Sequence, residues 1–168
     1  MNDKVLPSSL IQENHQELLL KFPKDFYIEA KTYLSDKEIR LIRKAYTFAH
    51  EAHKGQKRKD GADYITHPTA VAMVLLELGM DADSICAGFM HDVLEDCDVQ
   101  KANLEKLFNK DIANIVDGVS KLGKIALEDK AERNANNFQK MALAMANDVR
   151  VIVVKLCDRL HNMRTISH

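Results

Sequence analysis

A chain of 168 residues with 24 Lys plus Arg against 25 Asp plus Glu, a formal net charge of −1, has no bulk electrostatic pull toward nucleic acid or an anionic membrane. It suits one domain, large enough to bury its apolar surface without disulfides. No tryptophan, 6 Gly and 3 Pro favour an all-α fold cored by Leu, Ile, Val, Ala and Met. Cys86, Cys97 and Cys157 form no zinc-type pair, and neither a cleavable signal nor an apolar run of membrane-spanning length is visible. The expectation is a cytoplasmic chain with reduced, buried thiols.

Residues 1–34 read as an N-terminal extension. It carries a short helix marked by Leu10, Ile11, Leu18, Leu19, Leu20 and Phe22 and stopped before Pro23. The domain proper is expected over residues 35–168. Ser35 with Glu38 three residues on makes a capping box; Ile39, Ile42, Ala45, Tyr46 and Ala49 then mark one helical face, and Gly55 stops it. Residues 56–66 read as a polar loop. His67-Pro68 opens the next helix, with proline where its missing N–H costs least, Val71, Ala72, Leu75 and Leu78 facing inward and Gly79 at the end. Asp81 or Asp83 caps a helix carrying Ile85, Phe89, Met90 and Val93. Two short helices follow, around Leu104, Leu107 and Phe108 and around Ile112, Ile115, Val116 and Val119. Residues 124–133 form a charged loop, and Ala135, Phe138, Met141, Ala142 and Met145 define another helix. Residues 149–154 are β-branched enough to read as a buried strand. Helix is preferred, because Leu156, Cys157, Leu160 and Met163 continue a 3.6-residue face and no second strand-like run exists to pair with it.

The chemistry concentrates in Gly88-Phe-Met-His-Asp-Val-Leu-Glu-Asp96. Read as one helix, Asp92 relates to Glu95 and Asp96 by i+3 and i+4, and His91 reaches Glu95 by i+4. An apolar segment gains nothing by gathering an imidazole and three acids unless their charge is compensated, and a divalent cation does that best. The plainer alternative is a helix whose polar face happens to be acidic. His67 and Asp158 fall on two further helices, giving a mixed nitrogen and oxygen set that suits Mn, Fe or Zn better than Ca or Mg and lacks the thiolates of structural zinc. Four protein ligands on a six-coordinate ion leave room for water and a phosphate oxygen, as a hydrolase needs. Singly, His67 can merely precede a helix-starting proline, and Asp158 can merely pair with Arg159 or Arg164.

From about Leu34 onward the chain resembles the hydrolase domain of the RelA/SpoT-type alarmone enzymes, members of the HD-domain metal phosphohydrolases. The blocks are His53-Lys-Gly-Gln-Lys-Arg58 running into Gly61, Tyr64-Ile-Thr-His-Pro68, the Gly88 to Asp96 run, Val116-Asp-Gly-Val-Ser-Lys-Leu-Gly123 and Val154-Lys-Leu-Cys-Asp-Arg-Leu-His-Asn-Met-Arg-Thr165. The resemblance implies an all-α helical bundle with Mn2+ held by His67, His91, Asp92 and Asp158. It also implies hydrolysis of the 3′-pyrophosphate of ppGpp and pppGpp to GDP or GTP and pyrophosphate, in the stringent response. Glu95 and Asp96 would handle protons or hold the attacking water. Arg58 matches a position near guanine, Lys59 one that contacts phosphate, Asn162 one on the sugar and Thr165 one lining the base pocket; Tyr64 would shape the pocket wall. The chain departs from the family at Asp60, where serine is frequent, at Asn136 and Gln139, where Glu and Arg are usual, and at Cys157, usually alanine. The family's domain continues beyond the last block, followed in long members by a nucleotide-pyrophosphoryl synthetase, so a fragment of a longer bifunctional enzyme is expected. The rival readings are an HD-type phosphohydrolase of another phosphorylated nucleotide or dinucleotide cofactor, and a non-catalytic domain that senses guanine nucleotide.

Overall fold

The local signals in the chain resolve into eight helices and no sheet among the residues that the computed structural model describes, namely 22–125, 143 and 147–165. After α1 (Lys24–Ala30), α2 (Asp36–Ala52) begins at the capping box: Ser35 accepts from the Glu38 N–H, and the Glu38 carboxylate accepts from the Ser35 N–H at 2.8 Å. Ile39, Ile42, Ala45, Tyr46 and Ala49 are its buried face. α3 (Thr66–Glu77) starts one residue before His67, so Pro68 is its third residue, still within the turn whose N–H groups have no helical partner. It ends in a Schellman motif: Met80 N–H donates to Leu75 O, Gly79 N–H donates to Leu76 O, and Gly79 takes φ +69°.

Asp81 caps α4 (Ala82–Met90), accepting from Ser84 N–H at 3.0 Å. Every residue of α4 except Asp83 is buried, and α2, α3, α7 and α8 pack around it. A helix apolar all round belongs at such a centre. Gly88 lets α3 approach: a Cβ there would stand 2.5 Å from Leu75 Cδ1 and 3.4 Å from Ala72 Cα. The single helix expected through Asp96 is interrupted. α4 stops at Met90, and a short α5 (Val93–Asp96) restarts after Asp92. Adjacent residues of a helix point about 100° apart, and the break brings His91 and Asp92 to bear on one point.

α6 (Lys101–Leu107) and α7 (Lys110–Ile125) follow, the second longer than expected, and then α8 (Val149–Arg164). The β-branched run is helical. Its sidedness differs from the expectation: Val151, Ile152, Val154, Cys157 and Asp158 face inward, while Leu156 (56% exposed), Leu160 and Met163 (70% exposed) face outward. A helix presents one stripe to its neighbours, and the stripe through residues 151, 154 and 158 leaves 156, 160 and 163 on the far side.

The stretch before Ser35, read from sequence as an extension, places Phe22, Phe26, Ala30 and Leu34 in the same core, with Phe26 and Phe89 ring centres 5.4 Å apart. Cys86 and Cys157 are buried free thiols, and Cys97 is half-buried. The helix expected around Leu10 to Leu20, most of the charged loop, the helix at Ala135 to Met145 and the departures at Asn136 and Gln139 lie outside the described residues. Among the described residues no helix is long and apolar enough to cross a membrane.

Candidate metal centre and its cavity

Three elements deliver the cluster: His67 from the first turn of α3, His91 and Asp92 from the α4–α5 break, and Asp158 from the middle of α8. His67 Nε2 lies 3.2 Å from both His91 Nε2 and Asp158 Oδ1, and His91 Nε2 lies 3.0 Å from Asp92 Oδ2. One ligand atom each from His67, His91 and Asp158 falls within 4.8 Å of the others, and Asp92 Oδ2 stands 3.8 Å from His67 Nε2. His91 Nδ1 donates to Gly88 O at 2.8 Å, which leaves its Nε2 able to offer a lone pair inward. Two imidazole nitrogens and the Asp158 carboxylate, all from buried residues, with the Asp92 carboxylate beside them, are a donor set that fits a divalent transition cation.

The electrostatics point the same way. Burial works against the His91 imidazolium, but the Asp92 and Asp158 carboxylates overcome it and raise the group to about 10. Burial would likewise raise Asp92, yet His91, Tyr64 and His67 bring it down to about 2. Asp158 is held well below the carboxylate range against its burial by His67, His91 and Lys155. A proton on His91 thus offsets part of the carboxylate charge, and a divalent cation can replace it. The acids are further tethered. Tyr64 Oη donates to Asp92 Oδ2 at 2.7 Å and to Asp96 Oδ2 at 3.0 Å, Lys155 Nζ to Asp158 Oδ2 at 2.9 Å, and Asn162 Nδ2 to Asp158 Oδ1 at 2.7 Å.

His67, Asp92 and Asp158 form one end of a cavity of about 570 Å³, a size suited to a small-molecule ligand. The rest of its lining is Lys57, Arg58, Lys59, Asp60, Tyr64, Lys155, Asn162 and Thr165. The basic side comes from a tight loop. Lys57 bridges Asp63, Arg58 N–H donates to Ala62 O, Asp60 Oδ1 accepts from Ala62 N–H, and Gly61 supplies φ +86°. Arg58 also donates to Thr165 Oγ1 at 3.1 Å, so two sequence-expected contact residues meet across 107 positions.

The structure therefore brings together His67, His91, Asp92, Asp158, Arg58, Lys59, Asn162 and Thr165, with Asp96 joined through Tyr64. Glu95 stands apart from the cavity lining. Its carboxylate turns toward Ser120, Lys155 and Gly123, and burial, with Asp92 and Asp96 adding, raises it above the ordinary value. Two residues were missed by sequence reasoning: Lys155, and His161, whose Nδ1 lies 2.8 Å from His67 Nδ1. Stepping three or four positions along α8 from Asp158 reaches Lys155, His161 and Asn162, so the helical period carried the signal.

The HD domain family model matches residues 45–168. The bifunctional (p)ppGpp synthase/hydrolase SpoT of Escherichia coli is 48% identical over 137 residues, covering 82% of this chain and 20% of that protein. A probable guanosine-3′,5′-bis(diphosphate) 3′-pyrophosphohydrolase of Synechocystis is 52% identical over 127 residues, 76% of this chain and 17% of that one. A solved structure, described as a metazoan ortholog of SpoT that hydrolyzes ppGpp, matches with a TM-score of 0.60 and 26% identity over 80% of this chain and 72% of its own. The chain spans about a fifth of the length of the curated relatives it matches.

Proposed function

Starting from a chain that belongs to the HD-domain family and is homologous to RelA/SpoT-type proteins, we propose that it hydrolyses the 3′-pyrophosphate of ppGpp and pppGpp, giving GDP or GTP and pyrophosphate. The observation that carries this reading is the juxtaposition of the His67, His91 and Asp158 cluster, with Asp92 beside it, and a basic cavity wall. His67, His91, Asp92 and Asp158 would hold the cation, for which we propose Mn2+. When bound, it supplies a Lewis acid toward a phosphoryl oxygen and acidifies a water.

The chain's own residues do the rest. Lys57, Lys59 and Lys155 offset phosphate charge, Arg58 and Thr165 hold the base, and Asn162 holds the sugar. Tyr64 fixes Asp92 and Asp96 relative to each other. Water adds to the phosphorus next to the ribose, the P–O3′ bond breaks, and O3′ takes up a proton. Asp96, tied to Tyr64 beside Asp92, steadies the water and carries its proton, and Glu95, outside the cavity lining, acts on it through Lys155. We place the reaction in the cytoplasm and, given that this chain spans a fifth of bifunctional relatives, alongside a synthetase segment.

The test is pyrophosphate release from ppGpp by the purified chain with Mn2+ and after chelation. Mn2+-dependent release is expected, lost in Asp92→Ala and Asp158→Ala together with Mn2+ binding. In Glu95→Gln turnover is lost while Mn2+ is retained. A folded, Mn2+-loaded chain that releases no pyrophosphate would overturn the substrate, and a panel of other phosphorylated nucleotides would then identify the replacement.

A further inference from the structure

Each imidazole of the cluster has a second ring nitrogen to satisfy, and the two are satisfied differently. His91 Nδ1 donates to a backbone carbonyl, a partner that can only accept. His67 Nδ1 instead faces His161 Nδ1 at 2.8 Å, the rings 4.9 Å apart and tilted by 40°. At that distance two bare lone pairs repel and two N–H groups collide, so one proton lies between the rings. Its owner decides what His67 shows the cluster. If His161 donates, His67 carries its own proton on Nε2 and points it at Asp158 Oδ1, 3.2 Å away. If His67 donates, its Nε2 offers a lone pair to the centre of the cluster.

We propose that His161 is a positioning residue whose Nδ1 accepts from His67 and so holds His67 in the tautomer that presents Nε2 to a divalent cation. The inference rests on the metal-site reading above. Metal-bound histidines generally need such an outer acceptor, most often a carboxylate or carbonyl; here an imidazole takes that role. The backbone at His161 is held from the cavity side: its carbonyl accepts from the N–H and the hydroxyl of Thr165, and that hydroxyl in turn accepts from Arg58. The residue holding His67 thus belongs to the same turn of α8 that closes the cavity.

Mn2+ is titrated calorimetrically into the metal-free 168-residue chain as wild type, His161→Phe, His161→Asn and Asp158→Ala. Phe keeps the ring and removes the acceptor. Asn places Oδ1 where Nδ1 sits and restores it. Phe should weaken Mn2+ binding about 10- to 100-fold, and Asn should stay within about threefold of wild type. His161→Ala replaces Phe if the Phe chain does not fold, judged by its metal-free unfolding midpoint. Wild-type affinity in the Phe chain overturns the inference, and so does an Asn chain as weak as Phe, because ring packing rather than acceptance would then be at work. Asp158→Ala losing Mn2+ while Phe keeps it removes this inference alone. A wild-type chain that binds no Mn2+ removes the metal reading with it.

Discussion

Tyr64 holds the acidic side of the site with a single proton. A phenol has one O–H, so Asp92 and Asp96 share it, and burial followed by their two negative charges raises the phenol far above its ordinary value and keeps it protonated. His53 stacks on its face at 4.4 Å, fixing the ring. Tyr64→Phe should leave the fold intact and weaken Mn2+ binding about tenfold by freeing Asp92 to turn, as read by titration of the metal-free chain. The four cluster residues were legible in the sequence because charge inside apolar runs demands a partner. Lys155 and His161 were not, because on an amphipathic helix a lysine or histidine reads as ordinary solvent-facing surface until the inward face is known.

At the scale of elements, two glycines make opposite demands. Gly88 sits where α3 and α4 touch, and an added methyl meets a buried leucine and helix backbone. Gly88→Ala should cost roughly 1–3 kcal/mol in urea unfolding. A Cβ added at Gly123, near the end of α7, would stand 2.9 Å from Glu95 Oε1, the far end of a long side chain. There the tip can move aside. Gly123→Ala should therefore raise stability by up to about 1 kcal/mol through helix propensity. It should also displace the Glu95 carboxylate and lower turnover, with Mn2+ affinity unchanged. Helix boundaries followed from local chemistry, as at Ser35, Gly79 and Asp81. The α4–α5 break did not, since nothing in the His91-Asp92 dipeptide itself stops a helix. Nor did the sidedness of α8, where apolar residues occur on both faces and the position of Asp158 settles which turns inward.

Across the whole molecule, Arg150 ties the caps of two distant helices. It bonds Asp81 at the start of α4 at 2.8 Å and grips Asp148 at the start of α8, where its own N–H also donates. Asp148 is depressed chiefly by Arg150, while Asp81 is depressed against its burial by Ser84 and Arg150. A carboxyl lowered in the folded chain stabilises it above the unfolded value, roughly 3.9, and that contribution is lost as pH falls through the folded value. Arg150→Met should cost roughly 1 kcal/mol at pH 7, modest because the pairs are partly exposed. The gap from wild type should narrow on acidification to about pH 3, as urea unfolding at the two pH values would show.

His67 and His91 are 24 residues apart, and Asp158 lies 91 residues beyond His67. A cation gripped by α3, the α4–α5 break and α8 would therefore be a cross-link over about half of the chain, present only once α8 has docked. At a free concentration one hundred times its dissociation constant it adds about 2.7 kcal/mol to the folded state. Retained cation would thus count finished molecules: a chain arrested before α8 docks keeps His67 and His91 and lacks the Asp158 with which to close the grip.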